Sequence, residues 1–106
     1  MNIDEFIENR FPIQSLIANG SEYVKDAEWY YKNAKADAIF SYNAIKNKIS
    51  KNKKILEVGG GIHLLTSYLK ELNFYITSIE PGSFGPHIDR IRNKILSSID
   101  NKNILI

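Results

Sequence analysis

The chain has 106 residues, enough for one domain, and its 43% hydrophobic and 25% charged content is ordinary for a globular protein. A net charge of +2 gives no clear nucleic-acid signal, and the lack of cysteine excludes disulfides, thiolate zinc sites and cysteine nucleophiles. No run approaches the apolar length of a membrane span, and the acidic start Met1-Asn2-Ile3-Asp4-Glu5 is unlike a signal peptide, so a cytoplasmic protein with no membrane partner is expected.

Ile3, Phe6, Ile7, Phe11, Ile13, Leu16 and Ile17 recur at helical spacing. Pro12 pushes the residue before it out of the α region, so the stretch predicts two short helices or one kinked helix, closed by Asn19-Gly20. Ser21 is a candidate N-cap for the next helix. Between Ser21 and Val58 there is no Gly or Pro, and Tyr23, Ala27, Tyr30, Ala34, Ala38, Tyr42, Ile45 and Ile49 step by three and four. That pattern predicts a long amphipathic helix from Glu22 to Ile49, unbroken or broken once near Asn33. Lys46, Lys48, Lys51, Lys53 and Lys54 come at its end; they read as a solvated helix end that suits the macrodipole, with a phosphate or nucleic-acid patch as the alternative.

Lys54–Val58 is apolar without alternation, which predicts a strand buried on both faces. A helix from Ile62 to Leu72, a strand Tyr75–Glu80 and a loop Pro81–Pro86 come next. Ile88, Ile91, Ile95 and Ile99 mark a helix over His87–Ile99, Asp100-Asn101-Lys102 is a turn, and Asn103–Ile106 opens a third strand. Helices followed by β-α-β-α-β imply an α/β fold with a parallel sheet. Five of the six glycines fall in the loops after the first two strands, where open α/β sheets bind ligands.

The segment Glu57-Val58-Gly59-Gly60-Gly61 ends one strand, and Glu80 ends its neighbour. Acid, glycines and acid at that spacing describe a nucleoside site, because bare backbone allows close approach and a carboxylate accepts from vicinal ribose hydroxyls. A P-loop would need G-x-x-x-x-G-K-(S/T), and no lysine lies in His63–Thr66. A dinucleotide fingerprint G-x-G-x-x-G would place its third glycine at Leu64 and leaves Glu57 without a purpose.

Ile55–Gly61 resembles motif I, (D/E)-x-G-x-G-x-G, of the class I S-adenosylmethionine-dependent methyltransferases. Glu57, Gly59 and Gly61 match three of its marked positions, and His63 stands where the family has its last glycine. The resemblance covers Lys53–Glu80 and, more loosely, the rest to Ile106. It implies N-terminal helices over residues 1–52 and a truncated Rossmann-like unit over 53–106. It also implies S-adenosylmethionine as cofactor, bound by Glu57, Gly59, Gly60, Gly61, His63 and Glu80, with Glu80 on the ribose hydroxyls. His63 would narrow the aminoacyl pocket, donate to the ligand's carboxylate, or point to solvent. Trp29, Tyr30 and Tyr31, with Tyr23, fit either a lid over the cofactor or an aromatic face packed on the sheet. Ser83 or Phe84 would stand beside the adenine. His63 and His87 share no ligand spacing, so no metal site is expected.

The family's sheet has seven strands, with its first strand central. The resemblance therefore implies the N-terminal part of a longer enzyme, inactive alone, with its acceptor and catalytic residues unassigned and an unpaired sheet edge able to self-associate. The alternatives are part of an NAD-type oxidoreductase and a non-enzymatic module that pairs through its long helix.

Overall fold

The computed structural model describes residues 1–17 and 24–105. The expected stop at Asn19-Gly20, the cap at Ser21, Tyr23 and the last residue, Ile106, lie outside them. The described chain runs α1 (Ile3–Arg10), α2 (Ile13–Leu16), α3 (Val24–Ile45), β1 (Lys54–Val58), α4 (Leu64–Glu71), β2 (Tyr75–Ile79), α5 (Pro86–Ser97) and β3 (Ile104–Leu105). It is an α/β arrangement with a small parallel sheet in the order β1-β2-β3.

Local chemistry sets the helix ends. The Asn2 side chain accepts from the Glu5 N–H at 2.8 Å and so satisfies one of the free amides of α1. Pro12 takes an extended conformation at the N-cap of α2, which resolves the Pro12 region into two helices. α3 continues without a break through Asn33, whose side chain donates to the Trp29 carbonyl one turn back. It ends at Ile45 rather than Ile49, and Lys46–Lys48 form a turn instead. α4 starts at Leu64, two residues later than expected, because the glycine turn extends through His63. α5 opens with Pro86 at its first position, where the missing N–H costs nothing.

The helices form most of the core. Phe6, Ile7, Phe11, Tyr68, Ile91 and Ile95 are buried together between α1, α3, α4 and α5. Phe6 meets Phe11 edge-on at 5.9 Å, and Tyr68 packs edge-on to Tyr42 at 5.0 Å. Tyr31 is buried in this core, and its hydroxyl donates to the Phe11 carbonyl at 2.5 Å. Burial pushes that phenol up to about 12, with Glu8 adding to the shift. Lys35 of α3 bridges Asp4 and Glu8 of α1.

The expectation that β1 is buried on both faces is not met. In a parallel pair, residues in register share a face, so Ile55, Glu57, Ile76 and Ser78 lie on one side and Leu56, Val58, Thr77 and Ile79 on the other. The first set faces the helices, and Ile76 and Ser78 are fully buried. Leu56 is 62% and Val58 73% exposed, because the packed helices cover one side only. An apolar run without alternation therefore occurs here on a strand half open to water.

Candidate functional site

The glycine loop is built by the pairing of β1 with β2. Val58 sits opposite Ile79, and beyond it the Gly59 and Gly60 N–H groups both reach the Ile79 carbonyl, at 2.8 and 3.4 Å. The Gly61 N–H donates to Glu80 Oε1 at 2.9 Å. His63 N–H closes the turn on the Gly60 carbonyl at 2.9 Å. Gly59 and Gly61 adopt left-handed backbone, with φ of +77° and +61°. Gly60 is needed for a different reason: a Cβ there would lie 2.4 Å from Ser78 Oγ and 2.8 Å from His63 Nδ1.

His63 lies beneath this loop. It is a non-glycine residue with φ +66°, at the position where the motif I family has glycine, and its side chain has 0% exposure. Its imidazole neither points to solvent nor joins the cleft wall. Nδ1 lies 3.2 Å from Thr66 Oγ1 and 3.1 Å from Ser78 Oγ. Both hydroxyls also donate to Glu57 Oε1, that of Ser78 at 2.7 Å. Burial holds the imidazole pKa below its ordinary value; Glu57 opposes this, Arg92 adds to it, and Glu80 opposes it. Nε2 is buried with no hydrogen-bond partner among the described residues.

Above the loop is a cleft of about 510 Å³, within the range of small-molecule sites. One wall is α3, through Trp29, Tyr30, Asp37 and Ser41; the floor is Gly59, Gly60 and Gly61; Glu57 and Glu80 stand at the ends of their strands. No lysine, arginine or histidine is among the described residues lining it. Trp29 is 68% exposed, and its ring is open to a ligand. Tyr30 is half-buried, and burial with the nearby Glu80 carboxylate raises its phenol pKa.

The expected site residues therefore divide. Glu57, Gly59, Gly60, Gly61 and Glu80, distant in sequence, meet around one cleft. His63 supports that cleft from below. The aromatic cluster also divides: Trp29 and Tyr30 face the cleft, and Tyr31 is core. Phe84 packs on Tyr30 with ring centres 5.8 Å apart and on the Arg92 guanidinium at 5.5 Å. Ser83 hydrogen-bonds Asp89, which also accepts from the Phe84 N–H at 3.0 Å. These bonds hold the Asp89 carboxyl below its usual range and pin the loop to α5.

Sequence reasoning missed Thr66, Ser78 and Asp37. Asp37 was findable, since it lies near Tyr30 and Ala34 on one face of a predicted helix. Thr66 and Ser78 become informative only through the register that sets Ser78 opposite Glu57. Among the described residues there is no group of three His, Asp or Glu able to hold a metal ion, and no helix long and apolar enough to cross a membrane. No protein-family model, curated protein or solved structure matches this chain.

Proposed function

We propose that the cleft binds a cationic nucleoside, S-adenosylmethionine, as the cofactor half of a Rossmann-like methyltransferase site. The carrying observation is its electrostatics: Asp37, Glu57 and Glu80 line it with no basic residue among its described walls. Such a cavity favours a positive ligand and repels a pyrophosphate. The loop amides argue in the same direction. A phosphate-binding turn presents free N–H groups, whereas those of Gly59, Gly60 and Gly61 are all bonded to Ile79 or Glu80. This disfavours the NAD alternative.

The cofactor's groups fit the residues present. Glu80 would take the ribose hydroxyls after its Oε1 releases, or shares, the Gly61 N–H. The glycine floor would lie under the aminoacyl end, with Glu57 beside it. The exposed Trp29 face would attract the positive charge through its π-cloud. When bound, S-adenosylmethionine supplies an electrophilic methyl group on a sulfonium. The chain's own part is to bind and orient that group; no catalytic residue is assigned.

Calorimetry tests this reading. S-adenosylmethionine should bind, Glu80→Ala should weaken binding by tenfold or more, by about 1.4 kcal/mol for each factor of ten, and NADH should not bind. Preference for NADH would overturn it.

The bare sheet face favours a second reading, a pairing module. Leu56, Val58 and Leu105 are exposed on it, and β1 has one strand neighbour among the described residues. A dimer in sedimentation velocity that Leu56→Lys with Val58→Lys dissolves, together with no nucleoside binding, would support it.

A further inference from the structure

The oxygen and nitrogen separations in the polar cluster beneath the glycine loop favour one proton arrangement. Thr66 and Ser78 each carry one hydroxyl hydrogen, and for each the nearest acceptor is Glu57 Oε1. The Thr66–Ser78 oxygen separation, 3.3 Å, is longer than either contact to Glu57. With both hydrogens given to Glu57, neither hydroxyl can donate to the imidazole. His63 Nδ1 therefore donates, shared between the two hydroxyl oxygens at 3.2 and 3.1 Å. On this arrangement the neutral ring is the Nδ1–H tautomer, and the buried Nε2, which has no partner among the described residues, carries no proton.

The arrangement acts on Glu57. Three side chains from three places in the chain hold one carboxylate oxygen: Thr66 and Ser78 directly, and His63 by orienting both hydroxyls. Gly60 lies against the same cluster, so the loop and the carboxylate are set by one network. Glu57 also lines the cleft, and no hydrogen bond from a described residue engages its Oε2. A carboxylate fixed at one oxygen presents the other at a set angle with little rotamer entropy left to lose.

We propose that Thr66 and Ser78, oriented by His63, are positioning residues that aim Glu57 Oε2 into the cleft to read an ammonium group on the ligand. The assignment rests on the nucleoside reading of the cleft and names the group that gives the site its selectivity. The ligand class is a nucleoside carrying an amino-acid end. The same nucleoside without that end gains nothing from the arrangement.

Two measurements test this. Nitrogen NMR of the imidazole in the ligand-free protein at pH 7.5 should show Nδ1 protonated and Nε2 bare. The Nε2–H tautomer or an imidazolium would overturn the assignment whatever the ligand. Calorimetry should then compare S-adenosylmethionine with 5′-methylthioadenosine, which lacks both the aminoacyl end and the sulfonium charge, and with S-adenosylhomocysteine, which lacks that charge but keeps the aminoacyl end and should respond to the variants as S-adenosylmethionine does. Thr66→Val and Ser78→Ala should each weaken the first by about tenfold and change the second by less than about twofold. Thr66→Ser, which keeps the hydroxyl, should restore binding of S-adenosylmethionine. Equal losses for both ligands would show a merely structural role and overturn the proposal, as would no loss for either. A folded wild-type protein that binds 5′-methylthioadenosine as tightly as S-adenosylmethionine overturns the proposal and leaves the nucleoside reading standing. One that binds neither overturns both.

Discussion

At the scale of residues, the strongest constraints sit where the loop meets the buried cluster. Gly60→Ala forces a Cβ to within 2.4 Å of Ser78 Oγ, so it should cost about 1–3 kcal/mol in urea unfolding and abolish nucleoside binding. Gly59 has open space around its would-be Cβ, and an alanine there suffers only from its positive φ. Tyr31→Phe leaves the Phe11 carbonyl without its partner and should destabilise by about 1–3 kcal/mol. His63 carries a pH signature. Burial lowers its pKa, so the unfolded chain binds more protons below the ordinary 6.5. Stability should therefore be fully present above 6.5 and fall as the pH drops through the folded value. Thermal melts from pH 7.5 to pH 5 should show that loss, and His63→Gln should shrink it. The motif residues were legible one by one, but the orientation of His63 was not. The motif marks His63 only as the position of a missing glycine; that the imidazole turns inward depends on Thr66, Ser78 and Glu57 meeting in three dimensions.

At the scale of elements, composition and spacing predict each described helix and strand to within a few residues. The differences have physical causes. α4 begins after His63 because the loop amides bond to Ile79 and Glu80 instead of starting a helix. α3 ends at Ile45 because Lys46–Lys48 turn toward β1. The apolar pattern of β1 suggests two-sided burial, yet a sheet covered on one side can retain apolar residues on its open side. Substitution separates these faces. Ile76→Ala, on the covered side of β2, should cost about 2–5 kcal/mol. Val58→Thr, on the open side of β1, should stay within about 0.5 kcal/mol. Similar losses at both would mean that the second face is covered in solution.

At the scale of the whole molecule, charge is divided along the strand direction. Lys51 lies over the Phe74 ring, Lys54 over Tyr75, and Lys70 donates to the Lys102 carbonyl, all at the end where the strands begin. Glu57, Glu80 and Asp37 gather at the end where β1 and β2 finish. Lys70 stands in the last turn of α4, whereas the last turn of α3 holds no basic residue, and Lys51 and Lys54 lie beyond it over aromatic rings. Glu57 and Glu80 accept from Thr66, Ser78 and the Gly61 N–H, yet with Asp37 they line an open cleft that has no lysine, arginine or histidine among its described lining residues, and the proposed function rests on them. Trp29 is the chain's single tryptophan and stands on the cleft wall, so its emission reports occupancy directly. The decisive measurement is a titration of Trp29 fluorescence with S-adenosylmethionine and, separately, with NAD⁺. A saturable change with S-adenosylmethionine that Glu80→Ala removes, and none with NAD⁺, is the predicted result. A saturable change with NAD⁺ alone, or no change with either ligand in a folded protein, would contradict it.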